Sequence, residues 1–313
     1  MIKVFPFYDC ELALPLLFSS TQHAAMSSQE KITQLALSGK KTAVTLESSF
    51  LGFFSHAGFI NSLLDSGLAP AKISGSSSGA LVAAAYASGL KGEALREFIL
   101  NRNLQRSFRE WGMLPRCPSV LLAYQGHGLI SGKRAVRYLR KNLPVERIEE
   151  APLAELSIGV TNVARQKREL KKSGDLAAFI IASCAAAPVI RSQQIDGEFY
   201  LDGGFTDISP LHHWIDDDDI ETIIMHRIIT DPPRLGPWSL RKNLISCWSA
   251  LHGAATDELQ AIRIEQARAA GKNVIIHETV TPPPSLIISK QRAIDNYEAA
   301  YNSWKNSPHL TKN

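Results

Sequence analysis

Nowhere in the 313 residues does an uncharged apolar run reach the ~18 residues that a helix needs to cross a bilayer. Cysteine is scarce. Cys10, Cys117, Cys184 and Cys247 stand far apart with no CxxC pair, which excludes a zinc knuckle and a disulfide scaffold and reads as free thiols in a reducing, cytoplasmic setting. Charge of one sign is also lacking: 34 basic against 30 acidic residues leave +4, and no Lys/Arg block follows a phosphate backbone, so no nucleic-acid partner is expected. Gly 20 and Pro 16 fall into no period, and no internal repeat is visible, which removes collagen-like and low-complexity architectures. What remains is 45% hydrophobic and 20% charged, enough for one large α/β domain or two small ones.

Residues 5–19 are apolar, but Asp9 and Glu11 interrupt them and only Lys3 precedes them, unlike a secretory signal. Residues 1–38 read as an N-terminal extension, with a charged, helix-like stretch at 28–37. Residues 39–216 read as the core, and 217–313 as a C-terminal strand and helices completing the same domain.

Within the core, residues 42–47 (TAVTLE) are β-branched and read as a buried strand. A helix pattern at 56–64 follows, then a short extended segment at 71–76 that ends in a Ser/Gly cluster, then a helix of small residues at 79–88 stopped by Gly89. The order β-turn-α-β-turn-α predicts a parallel sheet. Further strands are expected at 156–163 with a hairpin partner at 168–170, at 199–201, at 221–228 and at 273–277, giving about six strands. Helices are expected at 175–185, 237–270 and 290–305.

The chemistry concentrates where strand meets helix. Gly75-Ser76-Ser77-Ser78-Gly79 is a G-x-S-x-G motif lying between a strand and a helix, the context a nucleophile elbow requires. A sharp turn there strains the central residue and demands small neighbours two positions away on each side, and both are glycine. Ser77 is therefore the candidate nucleophile, beside a helix N-terminus whose free N–H groups favour a developing oxyanion.

Serine needs a base. Asp202 stands in Tyr200-Leu201-Asp202-Gly203-Gly204 at the end of a strand, and locally this supports two readings, a carboxylate brought to another loop or a second Asp-Gly turn like Asp196-Gly197. His212, His213, His226, His252 and His277 qualify for a Ser-Asp-His order, but none sits in a recognisable loop signature.

Together the elbow, the Asp-Gly-Gly and their separation resemble the patatin-like phospholipase family. The resemblance runs from about Thr42 to Pro210 and includes Ser55-His56-Ala57-Gly58, Ala182-Ser183-Cys184-Ala185 with Pro188, and Asp202-Gly203-Gly204 with Pro210. It implies a three-layer α/β/α fold with a central, mostly parallel sheet. It also implies a Ser77-Asp202 dyad in which Asp202 is the proton acceptor, a lipid or phospholipid ester as substrate, peripheral membrane contact, and no cofactor.

One segment departs from the family. In place of the glycine-rich turn after the first strand, whose N–H groups form the oxyanion hole, this chain reads Glu47-Ser48-Ser49-Phe50-Leu51-Gly52-Phe53. Ser48, Ser49, Phe50 and Gly52 can still present backbone donors beside that of Ser78 if the turn keeps its shape. Glu47 is expected to face away or to bind a neighbouring amide, because a carboxylate would oppose an oxyanion.

Asp216 to Asp219 lack the spaced oxygens and glycine of a calcium loop, so no metal site is assigned. Phe108, Trp111, Met113, Leu114, Val120, Leu121, Leu122 and Tyr124 form an apolar stretch readable as a lid or as satellite core. The basic residues Lys133, Arg134, Arg137, Arg140 and Lys141 read as a solvated helix face or as a contact for anionic head groups. The functional expectation is a serine acyl hydrolase of lipid esters; the alternatives are a catalytically weak binding protein of the same fold and a Ser-His-Asp esterase.

Overall fold

A computed structural model describes residues 41–110, 128–230, 244–282 and 288–307. The reading of residues 1–38 as an extension, and most of the apolar lid stretch, lie outside the described residues.

Among the described residues, eight strands form one sheet. β1 (Lys41–Leu46), β2 (Lys72–Ser76), β3 (Glu155–Asn162), β7 (Ile220–Thr230) and β8 (Asn273–Thr281) are mutually parallel, in the order β3-β2-β1-β7-β8. β4 (Lys167–Lys171), β5 (Gln193–Ile195) and β6 (Glu198–Asp202) add an antiparallel margin beside β3. The expectation of about six strands undercounts because this margin is made of short, half-exposed strands with little apolar signal.

Alternation along the strands builds three layers. On β7, Ile224 joins one apolar cluster while Ile223 and Met225 join another on the opposite face. The first cluster packs α1 (Phe53–Asp65), α2 (Ser78–Ala87), α6 (Leu176–Ser183) and α8 (Lys290–Lys305) on one face of the sheet. The second packs Ile264 and Ala267 of α7 (Leu244–Ala269) on the other. Every residue of α2 is buried, as expected of a helix that is apolar nearly all round, half of it alanine.

Two helices escape the sequence reading, α3 (Glu93–Leu100) and α4 (Arg102–Ser107). The signal for α3 is present in Leu95, Phe98 and Ile99, spaced to form one buried helical face. α5 (Lys133–Asn142) packs against α4 and α6.

Candidate active site

The parallel strands bring their C-terminal ends together, and the candidate residues gather there. Ser77 is the hinge between β2 and α2, with φ +53° and ψ −120°, a conformation that L-residues seldom adopt. It alone is half-exposed in an otherwise buried elbow. The glycines are needed for close approach: a Cβ on Gly75 would lie 2.4 Å from the Gly79 carbonyl carbon, and one on Gly79 would lie 2.2 Å from the Leu46 carbonyl oxygen.

Three hydroxyls hold the strained turn. Ser183, at the end of α6, accepts the Ser77 N–H at 2.8 Å and donates to the Gly159 carbonyl of β3 at 2.6 Å. Ser76 donates to the Asp207 carbonyl at 2.7 Å, and Ser74 reaches Pro210 O. Ser183 and Ser76 carried no signal as positioning groups in the sequence, because their partners are remote in the chain.

Asp202 ends β6 and is almost fully buried. Its Oδ1 accepts the Gly204 N–H at 2.7 Å. Burial pushes its carboxyl up to about 6, against the opposing effect of hydrogen bonds from the Ser77 hydroxyl, the Gly204 amide and the Ser48 hydroxyl. Gly203 and Gly204 make room for this: a Cβ on Gly203 would meet Gly159 O at 2.3 Å, and one on Gly204 would meet Ser48 Oγ at 2.3 Å. The Cys184 thiol also contacts Ser77, and burial together with Asp202 holds it protonated.

The β1–α1 turn reaches the same place but spends its donors differently from the expectation. The Ser48 N–H donates to Ile208 O at 2.7 Å, the Ser49 N–H to Ser78 Oγ at 3.3 Å, and the Gly52 N–H back to Ser49 O at 3.3 Å. A side chain at Gly52 would strike Ser49 Oγ at 2.0 Å, so this turn is tight, and Leu51 adopts φ +59° within it. The Phe50 and Ser78 N–H groups have no protein acceptor among the described residues. Glu47 meets a cation rather than an amide: its carboxylate lies 3.1 Å from Arg227 Nε, and burial raises it to about 7. A cavity of about 270 Å³ opens beside the turn, lined by Glu47, Ser48, Phe50, Ile228 and Arg292 among others.

His56, His226 and His277 are committed elsewhere. His226 and His56 share a hydrogen bond of 2.8 Å between their Nδ1 atoms, His226 Nε2 reaches Thr279 at 3.0 Å, and His277 meets Ser303. His212 lies beside Asp207, and the His213 ring is tilted against that of Trp214, 4.4 Å between centroids. The side chain of His252 lies outside the described residues. Asp217 of the acidic run is occupied by Lys72.

The family profile of the patatin-like phospholipases matches residues 45–214, more than half of the chain. The chain belongs to the patatin-like phospholipase family. Curated relatives include uncharacterized NTE family proteins of Mycobacterium bovis and Mycobacterium tuberculosis, 27% identical over 176 residues. That match covers 56% of this chain and 45% of each relative, so the chain aligns with about half of their length. Among solved structures, VipD from Legionella pneumophila matches at 14% identity with a TM-score of 0.49, over 87% of this chain and 67% of that one. The type III effector protein ExoU matches at 13% identity and a TM-score of 0.40, over 87% and 53%.

Proposed function

We propose that this protein is a serine acyl hydrolase acting on carboxylic esters of lipids through Ser77 and Asp202. The observation that carries the reading is the strained, half-exposed Ser77 with its hydroxyl against a buried carboxylate, in a chain of a lipase family. Ser77 Oγ attacks the acyl carbonyl as Asp202 takes its proton. The tetrahedral oxyanion is held by the Ser78 and Phe50 N–H groups. Collapse expels the alcohol, which leaves with the proton from Asp202. Water then attacks the acyl-Ser77 ester, Asp202 accepts its proton, and the carboxylic acid departs as Ser77 regains its own.

Asp202 suits the task because burial brings its acidity close to neutral pH while the carboxylate form still predominates there. A histidine is not needed in this scheme, and His56, His226 and His277 are bound to partners away from Ser77.

A fluorophosphonate probe tests the proposal. Labelling at Ser77, abolished in Ser77→Ala and slowed in Asp202→Asn, is the expected result; a folded wild type that resists the probe and hydrolyses no ester overturns it. The engagement of the Ser48 and Ser49 amides favours one second reading, a protein of the same fold that binds lipid and turns it over slowly.

A further inference from the structure

Exposed large apolar side chains are few among the described residues, and they are not scattered. Of the seven, five stand at the C-terminal end of the parallel strands, where Ser77 opens: Phe50, Val163, Val189, Phe199 and Val280. Topology places them there. Phe50 follows β1, Val163 follows β3, and Val280 is the penultimate residue of β8. Phe199 is bound across the sheet margin, its carbonyl accepting the Val163 N–H at 2.9 Å. Val189 lies in the loop that leaves α6 just beyond Ser183, the residue holding the Ser77 amide.

Cations rim the same end. The sequence of α5, KRAVRYLRKN, holds five basic residues and no acid. Its start is pinned near the elbow: a Cβ on Gly132 would meet Ile181 at 2.7 Å, two residues before Ser183. Lys133 and Arg134 are exposed at that start, and the Arg134 guanidinium reaches the carbonyl of exposed Arg109 at 3.3 Å. Two of the neighbouring acids are spent, while Asp196 stays exposed in the turn before β6. Glu110 accepts both the Ser131 and Gly132 N–H groups at the helix start, and Glu198 pairs with Arg165.

We propose that this end of the sheet is a docking face for an anionic lipid bilayer. Val163, Val189 and Phe199 enter the head-group boundary, Lys133, Arg134 and Arg109 meet the anionic head groups, and Ser77 opens toward the lipid. Apolar side chains standing among cations are what a surface lying on an anionic membrane needs, since burial and electrostatic attraction then act together. In this location the apolar groups share the sheet end of the proposed nucleophile instead of standing on a remote face. The proposal deepens the acyl hydrolase reading and rests on it for purpose, but docking is measured without turnover.

The experiment uses the full chain as Ser77→Ala, sedimented with phosphatidylcholine vesicles that either contain or lack phosphatidylserine. Binding is expected to need phosphatidylserine and to weaken with salt. A cation near an anionic surface is worth about fivefold in partition, so Lys133→Glu with Arg134→Glu is expected to lower binding at least tenfold. Val163→Asp with Phe199→Asp should lower it similarly, each variant being checked for folding by its melting curve, with Val189→Asp and Arg137→Glu as a second pair. In the catalytic background, the charge variant should hydrolyse a soluble short-chain ester normally and vesicle lipid poorly. Unchanged binding by folded variants overturns the docking face. Tighter binding to duplex DNA than to phosphatidylserine vesicles overturns it as well, marking a nucleic-acid surface. Vesicle binding with the expected losses in a protein that cleaves no ester upholds the docking face and sinks the hydrolase reading alone.

Discussion

The Ser49 N–H donates to the hydroxyl of Ser78, 3.3 Å away, so a residue expected to serve an oxyanion serves the first turn of α2 instead. The two positions therefore compete for one donor. Ser78→Ala frees the Ser49 amide without touching the Ser78 amide, and kcat is expected to stay at or above the wild-type value. Phe50→Pro removes an unoccupied donor, and the loss is expected to approach the ~10²–10³ in kcat known for one oxyanion donor. Steady-state kinetics on a soluble ester, with circular dichroism to show folding, distinguish them. A large fall in Ser78→Ala with no fall in folded Phe50→Pro would reverse the assignment.

Asp202→Asn is expected to trade activity for stability. An amide accepts no proton, so turnover should drop by roughly 10²–10⁴. At neutral pH the native state holds a carboxylate whose pKa burial raises from 3.8 to about 6. Keeping that group ionised in the fold costs about 3 kcal/mol, a strain relieved by a neutral isostere that keeps the Gly204 N–H bond. The wild-type kcat/KM should also rise with pH through about 6 as Asp202 ionises. Thermal melts and a pH profile check both; a less stable Asp202→Asn would show that the carboxylate is held at little cost.

The elbow hydroxyls are expected to separate stability from catalysis. Ser76→Ala orphans the Asp207 carbonyl, whereas Ser183→Ala orphans the Ser77 amide itself. Each should cost about 1–3 kcal/mol, the penalty of a buried polar group left unpaired. Only Ser183→Ala should also lower kcat with KM unchanged, because it releases the residue held at φ +53°. Equal kcat in the two variants would deny Ser183 a positioning role.

The elbow and the Asp-Gly-Gly were legible because glycine itself marks the positions, even where the group approached is remote in the chain. Gly75, Gly79, Gly203 and Gly204 are required by approaches of 2.2–2.4 Å that no side chain could survive, and glycine spacing records such approaches directly. The strands at 42–47, 71–76 and 156–163 were legible through apolar runs between turn residues. Donor accounting in the β1–α1 turn was not, since the Ser48 amide is claimed by Ile208, 160 positions along the chain. The Glu47–Arg227 pair was hidden by a separation of 180 residues. The helices α3 and α4 are only 8 and 6 residues long, so the single Leu95, Phe98, Ile99 face of α3 does not repeat, and α4 carries one buried apolar residue, Leu104.

The buried histidine pair is expected to shape acid stability in a way that two carboxyls mask. His56 Nε2 faces the Glu47 carbonyl and must donate to it; its Nδ1 then accepts from His226 Nδ1–H, leaving His226 Nε2 to accept from Thr279. Both rings are therefore neutral, and burial lowers His56 to about 3 and His226 well below its ordinary value. With folded values depressed, the unfolded chain binds more protons below pH ~6.5, and stability falls as pH drops, by ~1.4 kcal/mol per pH unit for each ring. Glu47 and Asp202 act oppositely. Their folded values are raised, to about 7 and about 6, so the native state binds the extra protons while pH falls toward the ordinary carboxylate range. His213 is lowered to about 3 by burial as well, so three histidines outweigh the two carboxyls by one proton. The carboxyls offset most of the loss between about pH 6 and 4.5, and the full histidine loss emerges below about pH 4. The double variant Glu47→Gln with Asp202→Asn removes the opposing pair. Its melting temperature is expected to fall from pH ~6 distinctly more steeply than that of the wild type, while His56→Gln should blunt the wild-type loss near pH ~3–4. If the double variant and the wild type lose stability in parallel from pH ~6.5 to ~4.5, the buried pair is not titrating as its hydrogen bonds require.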